Sequence, residues 1–270
     1  MRAFRNHFSF EFRTGMRDRN LLLMYYLFPL GLYVLLALLM KSINTGFIEI
    51  LIPAMIVISV LISTMLGLPE PFVKSREAGI FRSYRINGVP ANSIVIIPSL
   101  TTTLHMIIVS TIITITGFLF FKAPLPINWV AFILIFFLIS FALSGLGVLI
   151  GVVSSSSRAT ILWSQLIFLP SMIIGGLMIP SNLLPFALKK IGILLPSTHA
   201  INLFKFYAYN KSIEYNPLFS IIILLLSGIL SFGLAIYLFN WDSQNKTRRG
   251  HPLLGFLTML PYIIGVFFLP

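Results

Sequence analysis

The chain contains no cysteine, and only seven of its 270 residues are acidic. The first absence excludes disulfides, a thiol nucleophile and any cysteine-ligated metal centre. The second excludes a good deal of transport chemistry. Glu11, Asp18, Glu70, Glu77 and Asp242 lie toward one end of the apolar runs, and Glu49 and Glu214 toward the other. None sits in the middle of a run, where proton- and sodium-coupled carriers place a carboxylate. No G-x-x-x-x-G-K-[ST] loop is present, so the chain does not bind nucleotide in the P-loop manner, and no H-E-x-x-H zinc helix occurs. A filter motif or a charge ring of the kind that lines channels is also missing.

What remains is overwhelmingly apolar. Hydrophobic residues make up 57% of the chain and charged ones 10%, with a mean hydropathy of +0.97. Soluble domains carry about 45–50% apolar residues, so the composition specifies an all-α integral membrane protein. The net charge of +12 sits at the ends of apolar runs, where cations set topology and meet lipid headgroups rather than nucleic acid. Arg2, Arg5, Arg13, Arg17 and Arg19 precede the first run as in a secretory signal. That run ends LALLMKSIN without a small-x-small cleavage site, so a retained span is expected.

Counted in units of ~20 residues, six spans are expected: about 21–40, 48–68, 93–121, 130–153, 160–179 and 218–240. Ahead of them, Phe4, Phe8, Phe12 and Met16 recur at i+4 opposite Arg2, Arg13 and Arg17. This predicts an amphipathic helix over residues 1–20 lying on the membrane surface. Residues 180–211 hold prolines 180, 185 and 196 and lysines 189, 190, 205 and 211. The apolar pieces between them are too short to cross, which predicts short re-entrant helices at the outer face. The domain organisation is therefore the surface helix, a six-span body over 21–245, and a basic then apolar tail over 246–270. The tail's last stretch, Pro252 to Pro270, reads as a kinked seventh span or an interfacial segment, with the interface preferred.

One stretch breaks the apolar pattern, EPFVKSREAGIFRSYRINGVP over 70–90. Burying each unpaired charge in hydrocarbon costs at least ~2.5 kcal/mol, so this island must lie outside the bilayer. With six spans it shares a side with the arginines of the N-terminus, Arg158, Lys246, Arg248 and Arg249. The other side collects Lys41, Lys122 and the four lysines of 180–211. The positive-inside rule puts the N-terminus and the island in the cytoplasm.

Small residues mark expected helix contacts at Ser140, Ser144, Gly147 and Gly151, and at Ser227 and Ser231. Thr103, Ser110 and Thr114 share one helical face with Gly117. With His105 and Gln165 they form a candidate substrate path. His105 is also open to a structural reading, because Thr101 and Thr102 are one turn away. Ser144 with His105 is the one constellation suited to an intramembrane serine hydrolase.

Taken together, the chain resembles the membrane-spanning permease subunit of a type-2 ABC exporter, over about residues 1–245. The N-terminal helix looks like that family's connecting helix. KSREAGIFRSYRINGVP looks like its cytoplasmic motif, and IPSNLLPFALKKIGILLPSTHAINLFK like the Pro-x-x-x-x-Pro and Leu-Pro-x-Thr-His pattern before its last span. Ile80, where many relatives have threonine, and the apolar tail depart from the pattern. The resemblance implies a coupling helix from Lys74 to Asn87 seated on a separate ATP-binding subunit, with Lys74, Arg76, Glu77, Gly79, Arg82 and Arg85 at the contact. It implies a surface helix with Phe4, Phe8, Phe12, Arg13 and Arg17 as its working residues. No cofactor is expected on this chain, and ATP and Mg are expected on the partner. A second permease copy or homologue and membrane lipids complete the expected partners, in the plasma membrane and without nucleic acid. Export of a hydrophobic or amphipathic drug, antibiotic or lipid is the implied function, with polysaccharide or lipid-linked glycan export as the rival.

Overall fold

The computed structural model describes the backbone of residues 2–43, 45–179, 183–213, 215–242 and 250–268, and their side chains except at 2–6 and 41–45. Phe4, Lys41, Glu214, Lys246, Arg248 and Arg249 fall outside the described side chains. Every regular element among the described residues is helical. Six helices among the described residues are long and apolar enough to cross a membrane. After the N-terminal helix α1 (Arg2–Gly15) they are α2 (Arg19–Met40), α3 (Gly46–Glu77), α5 (Ala91–Phe121), α6 (Trp129–Val153), α7 (Ser157–Ile174) and α10 (Pro217–Leu238). Between and after them lie α4 (Ile80–Ile86), α8 (Phe186–Gly192), α9 (Pro196–Leu203) and α11 (Pro252–Phe268).

Span starts carry their own signals. The side chains of Asp18, Asn128, Ser156 and Asn216 each accept a backbone N–H from the first turn of α2, α6, α7 and α10. An orphan donor is thereby satisfied where the helix enters, at about 1 kcal/mol per cap in soluble proteins.

The bundle is built around α3. Of its most apolar window 94% is buried, against 22–39% for α2, α5, α7 and α10. Every residue from Leu51 to Leu61 is enclosed, as expected of a helix that is hydrophobic on all sides. Its C-terminal half meets α6 at Gly147, where an added Cβ would overlap the carbonyl oxygen of Thr64. At Gly151 the corresponding distance to the carbonyl of Pro69 is 2.8 Å. On its other side α6 meets α10 through Gly145 and Gly228, with Phe141 and Phe232 stacked at 5.2 Å. Ser140, Ser144, Ser227 and Ser231 are all buried.

Two span boundaries differ from the sequence expectation. The second span, expected to stop at Leu68, runs on as helix to Glu77, because Phe72, Val73 and Arg76 find buried positions against α6 and α7. The fifth, expected to reach Ile179, ends at Ile174. There the chain turns through Gly175 and Gly176, and Ser197 closes on Gly175. In the 180–211 region, α9 is buried at every position from Pro196 to Leu203. Its His199 donates from Nε2 to the carbonyl of Ile193 (2.8 Å) and accepts at Nδ1 from the hydroxyl of Ser220 (3.1 Å). In the tail, both halves of α11 pack against α10.

Candidate functional site

The charged island folds as two pieces. Its first part is the C-terminal end of α3, whose faces divide sharply. Lys74 and Glu77 are exposed, and Lys74 pairs with Glu70 at 2.8 Å. Arg76 turns inward and is 8% exposed. Its Nη1 donates to the carbonyl of Val152 at 2.8 Å and its Nη2 donates to the carbonyl of Ser154. Those carbonyls close the C-terminus of α6, the negative end of a helix where a cation is favoured. Arg76 is thus an internal anchor rather than an outward contact.

Gly79, with φ +72°, makes the turn into α4, a conformation that costs glycine nothing and a residue with Cβ about 1 kcal/mol or more. Within α4, Phe81 is buried among Phe72 (6.0 Å), Tyr84 (6.5 Å) and Phe239 (5.3 Å). Arg82 forms an ion pair with Asp242, just beyond α10. Ile80, Arg85 and Ile86 of α4 are exposed, the last 80% so.

The N-terminal helix is fastened to the same end of the bundle. Phe8, Glu11, Phe12 and Gly15 face inward, while Arg13 and Arg17 are exposed. Phe12 stacks on the His105 ring at 4.9 Å and 5°, and Tyr25 stacks at 5.1 Å. The hydroxyl of Tyr26 lies 2.7 Å from His105 Nδ1. His7 meets Tyr84 of α4 edge-on at 5.3 Å. Burial pushes the Glu11 carboxyl up and the His7 imidazole down from their ordinary pKa values. Burial, with a smaller contribution from Glu11, raises the Tyr84 phenol. Tyr84 therefore joins α4 to α1, and Phe81 joins it to the ends of α3 and α10. α4 thus touches α1, α3 and the end of α10 directly.

The candidate path residues do not converge. Thr103 opens onto an apolar groove with Phe8, Phe137, Ser140 and Ser144, and its hydroxyl donates to the Ser99 carbonyl. Ser110 and Thr114 line the continuation of that groove beside Trp129, Phe132 and Phe136. His105 points elsewhere, into the clamp with α1 and α2, and Gln165 is half-buried on α7. The Ser144 hydroxyl has no hydrogen-bond partner, so no Ser144–His105 dyad forms. Sequence reasoning missed Phe81, Tyr84 and Ile86. The alternation of aromatic and charged residues in IFRSYRI is the signal that could have found the first two.

Residues 3–208, well over half of the chain, match the protein-family model described as ABC-2 type transporter. The chain belongs to that family. No curated protein and no solved structure matches it. Membership in the ABC-2 family makes the chain the transmembrane subunit of an ABC transporter, a multi-pass permease that is a transport component and not itself catalytic. ABC-2 permeases generally work with an ATP-binding subunit. The family match covers α1 to α9 and ends at residue 208, ahead of α10 and α11.

Proposed function

We propose that this ABC-2 permease is the membrane half of an ATP-driven exporter. Its partner subunit, carrying ATP and Mg, seats on the segment from Lys74 to Asn87. The N-terminus and this segment lie in the cytoplasm of the plasma membrane, as the distribution of Lys and Arg supports. Two such permeases, identical or homologous, enclose the path, and the cargo is a hydrophobic or amphipathic compound such as a drug, antibiotic or lipid. The apolar character of the Thr103 to Thr114 groove supports such a cargo.

The observation that carries the reading is the division of labour within the loop. Arg76, Phe81 and Arg82 fasten it to α6 and to the segment after α10, while Glu77, Ile80, Arg85 and Ile86 face outward. A segment fastened through some side chains and exposed through others is what a lever requires. ATP-driven closure of the partner pair moves α4, and Tyr84 and Phe81 pass the displacement to α1, α3 and α10. The bias comes from ATP binding one state of the complex better than the other.

The test is co-purification of the detergent-solubilised permease with its ATP-binding subunit, read out by vanadate-sensitive ATP hydrolysis. Glu77→Ala with Arg85→Ala, and separately Ile86→Asp, are expected to lose binding or coupled hydrolysis while the permease still purifies as a folded species. Recruitment indistinguishable from wild type in both variants would remove the loop from the docking site.

A further inference from the structure

The C-terminal segment carries an inference that the ABC-2 match, ending at residue 208, does not reach. We propose that α11 is a seventh membrane-crossing element, which brings Phe268 to the side of the membrane opposite the 70–90 loop and braces α9 from there.

The contacts of α11 run the whole length of α10 in the opposite direction. Just ahead of α11, an added Cβ at Gly250 would stand 2.9 Å from Leu238 and 3.1 Å from Tyr237, at the inner end of α10. Gly255 faces Val153 and Leu149 of α6, beside the carbonyls that Arg76 holds, and Phe256 meets Trp163 of α7 edge-on at 5.5 Å. Midway, Tyr262 is fully buried, with His199 of α9 at 5.7 Å. At the far end Phe268 stacks on Phe219 at 6.3 Å. Phe219 and Leu238 are about 28 Å apart along a helix rising 1.5 Å per residue. A segment lying flat on one surface cannot touch both.

Length and composition agree. Pro252–Met259 is wound as a 3-10 helix and Leu260–Phe268 as an α-helix. The tighter winding rises about 2.0 Å per residue, so the segment extends about 30 Å where a wholly α-helical one would extend about 25 Å. The hydrocarbon layer is about 30 Å thick. The 3-10 stretch thereby converts a segment too short to cross into one that reaches. From Pro252 to Phe268 there is no charged residue. Its outward face, Leu253, Phe256, Leu260, Ile264 and Phe267, is exposed and apolar from end to end. An interfacial helix would present a polar face instead. Pro261 is tolerated because its ring is buried among neighbouring helices. Seven crossings place the two ends of the described chain on opposite sides. The brace follows from Tyr262, which ties α9 to a segment whose inner end rests on α6.

The proposal rests on the six-span reading of the rest of the chain, and its test separates the two. Because the protein has no cysteine, any introduced thiol is unique. One cysteine is placed after a short Gly-Ser extension of the full chain, and reference cysteines are Ser83→Cys in α4 and Ile127→Cys before α6. Each is labelled with a membrane-impermeant maleimide in right-side-out and in inside-out vesicles. The terminal thiol is expected to label with the sidedness of Ile127→Cys. Labelling with the sidedness of Ser83→Cys overturns the crossing. Equal sidedness of the two references would instead overturn the six-span frame. A second variant pair checks the contact itself: Phe219→Cys with Phe268→Cys should be bridged by a short bismaleimide, and Leu238→Cys with Phe268→Cys should not. Bridging of the Leu238 pair alone overturns the antiparallel arrangement.

Discussion

The Arg76 guanidinium donates to the carbonyl of Val152 at 2.8 Å, joining the C-terminal end of α3 to the last turn of α6 across 76 residues of sequence. Removing it leaves the Val152 and Ser154 carbonyls buried without this donor. Hydrogen bonds to a charged group contribute about 1.5–3 kcal/mol each, so Arg76→Ala is expected to lower stability by about 3 kcal/mol or more, measured by thermal unfolding in detergent. Arg76→Lys should recover part of the loss, since an ammonium cannot reproduce the fork. Arg85→Ala, at an exposed position, should leave stability unchanged. Equal losses at 76 and 85 would contradict the anchoring role.

His105 is held by Phe12, Tyr25 and Tyr26 and not by Ser144. His105→Ala is expected to loosen α1, seen as faster proteolysis within residues 8–18 while the spans stay protected. His105→Phe should restore most of that protection, because it keeps the stacking face and loses only the Tyr26 bond. A proton-relay or hydrolase role would instead make the phenylalanine variant as defective as alanine.

Gly147 tolerates no side chain where α6 crosses α3. An added Cβ would overlap the backbone oxygen of Thr64, which cannot swing aside as a side chain can. Gly147→Val is expected to cost roughly 3 kcal/mol and to abolish a monodisperse peak in size-exclusion chromatography. Gly233→Ala, with nothing within 4 Å of the new methyl, serves as the control and should behave as wild type.

His199 lies outside the six spans but is fully enclosed, and burial holds its imidazole down to about 4 against an ordinary 6.5. Between those values the unfolded chain binds a proton that the folded chain excludes. Stability is therefore complete above about pH 6.5 and is lost as the pH falls toward 4. The unfolding temperature in detergent should drop over that window. In His199→Gln, which does not titrate, the drop should shrink even though the variant starts from lower stability. An unchanged slope would show that other groups set the acid limit.

The elements were legible for different reasons. Apolar runs separated by charged or proline-bearing links announce spans, because no water is available in hydrocarbon to satisfy a broken helix. The family pattern lay in local motifs, so 3–208 could be matched without tertiary information. The course of α3 past Leu68 was hidden because the charges from Glu70 onward exclude an unpaired segment from the bilayer, so the span was ended ahead of them and the coupling helix was begun separately at Lys74. Only the fold supplies carbonyls at Val152 and Ser154 that make one of those charges an inward anchor. The tail was hidden in the same way: nineteen apolar residues with a central proline are compatible with lying on a membrane or entering it.

The sequence alone determined that this is a helical membrane protein, that α6 carries small residues for close packing, and that residues 70–90 are the charged interruption of the apolar pattern. These follow from transfer free energies, which depend on residue type and neighbours in sequence. The tertiary structure decided which span is central, which arginine is enclosed and which faces out, that His105 serves a clamp, and where α11 lies. Those outcomes depend on which backbone oxygen or ring happens to stand across an interface. Contacts between residues 76 and 152, or 12 and 105, leave no periodicity in the chain from which they could be read.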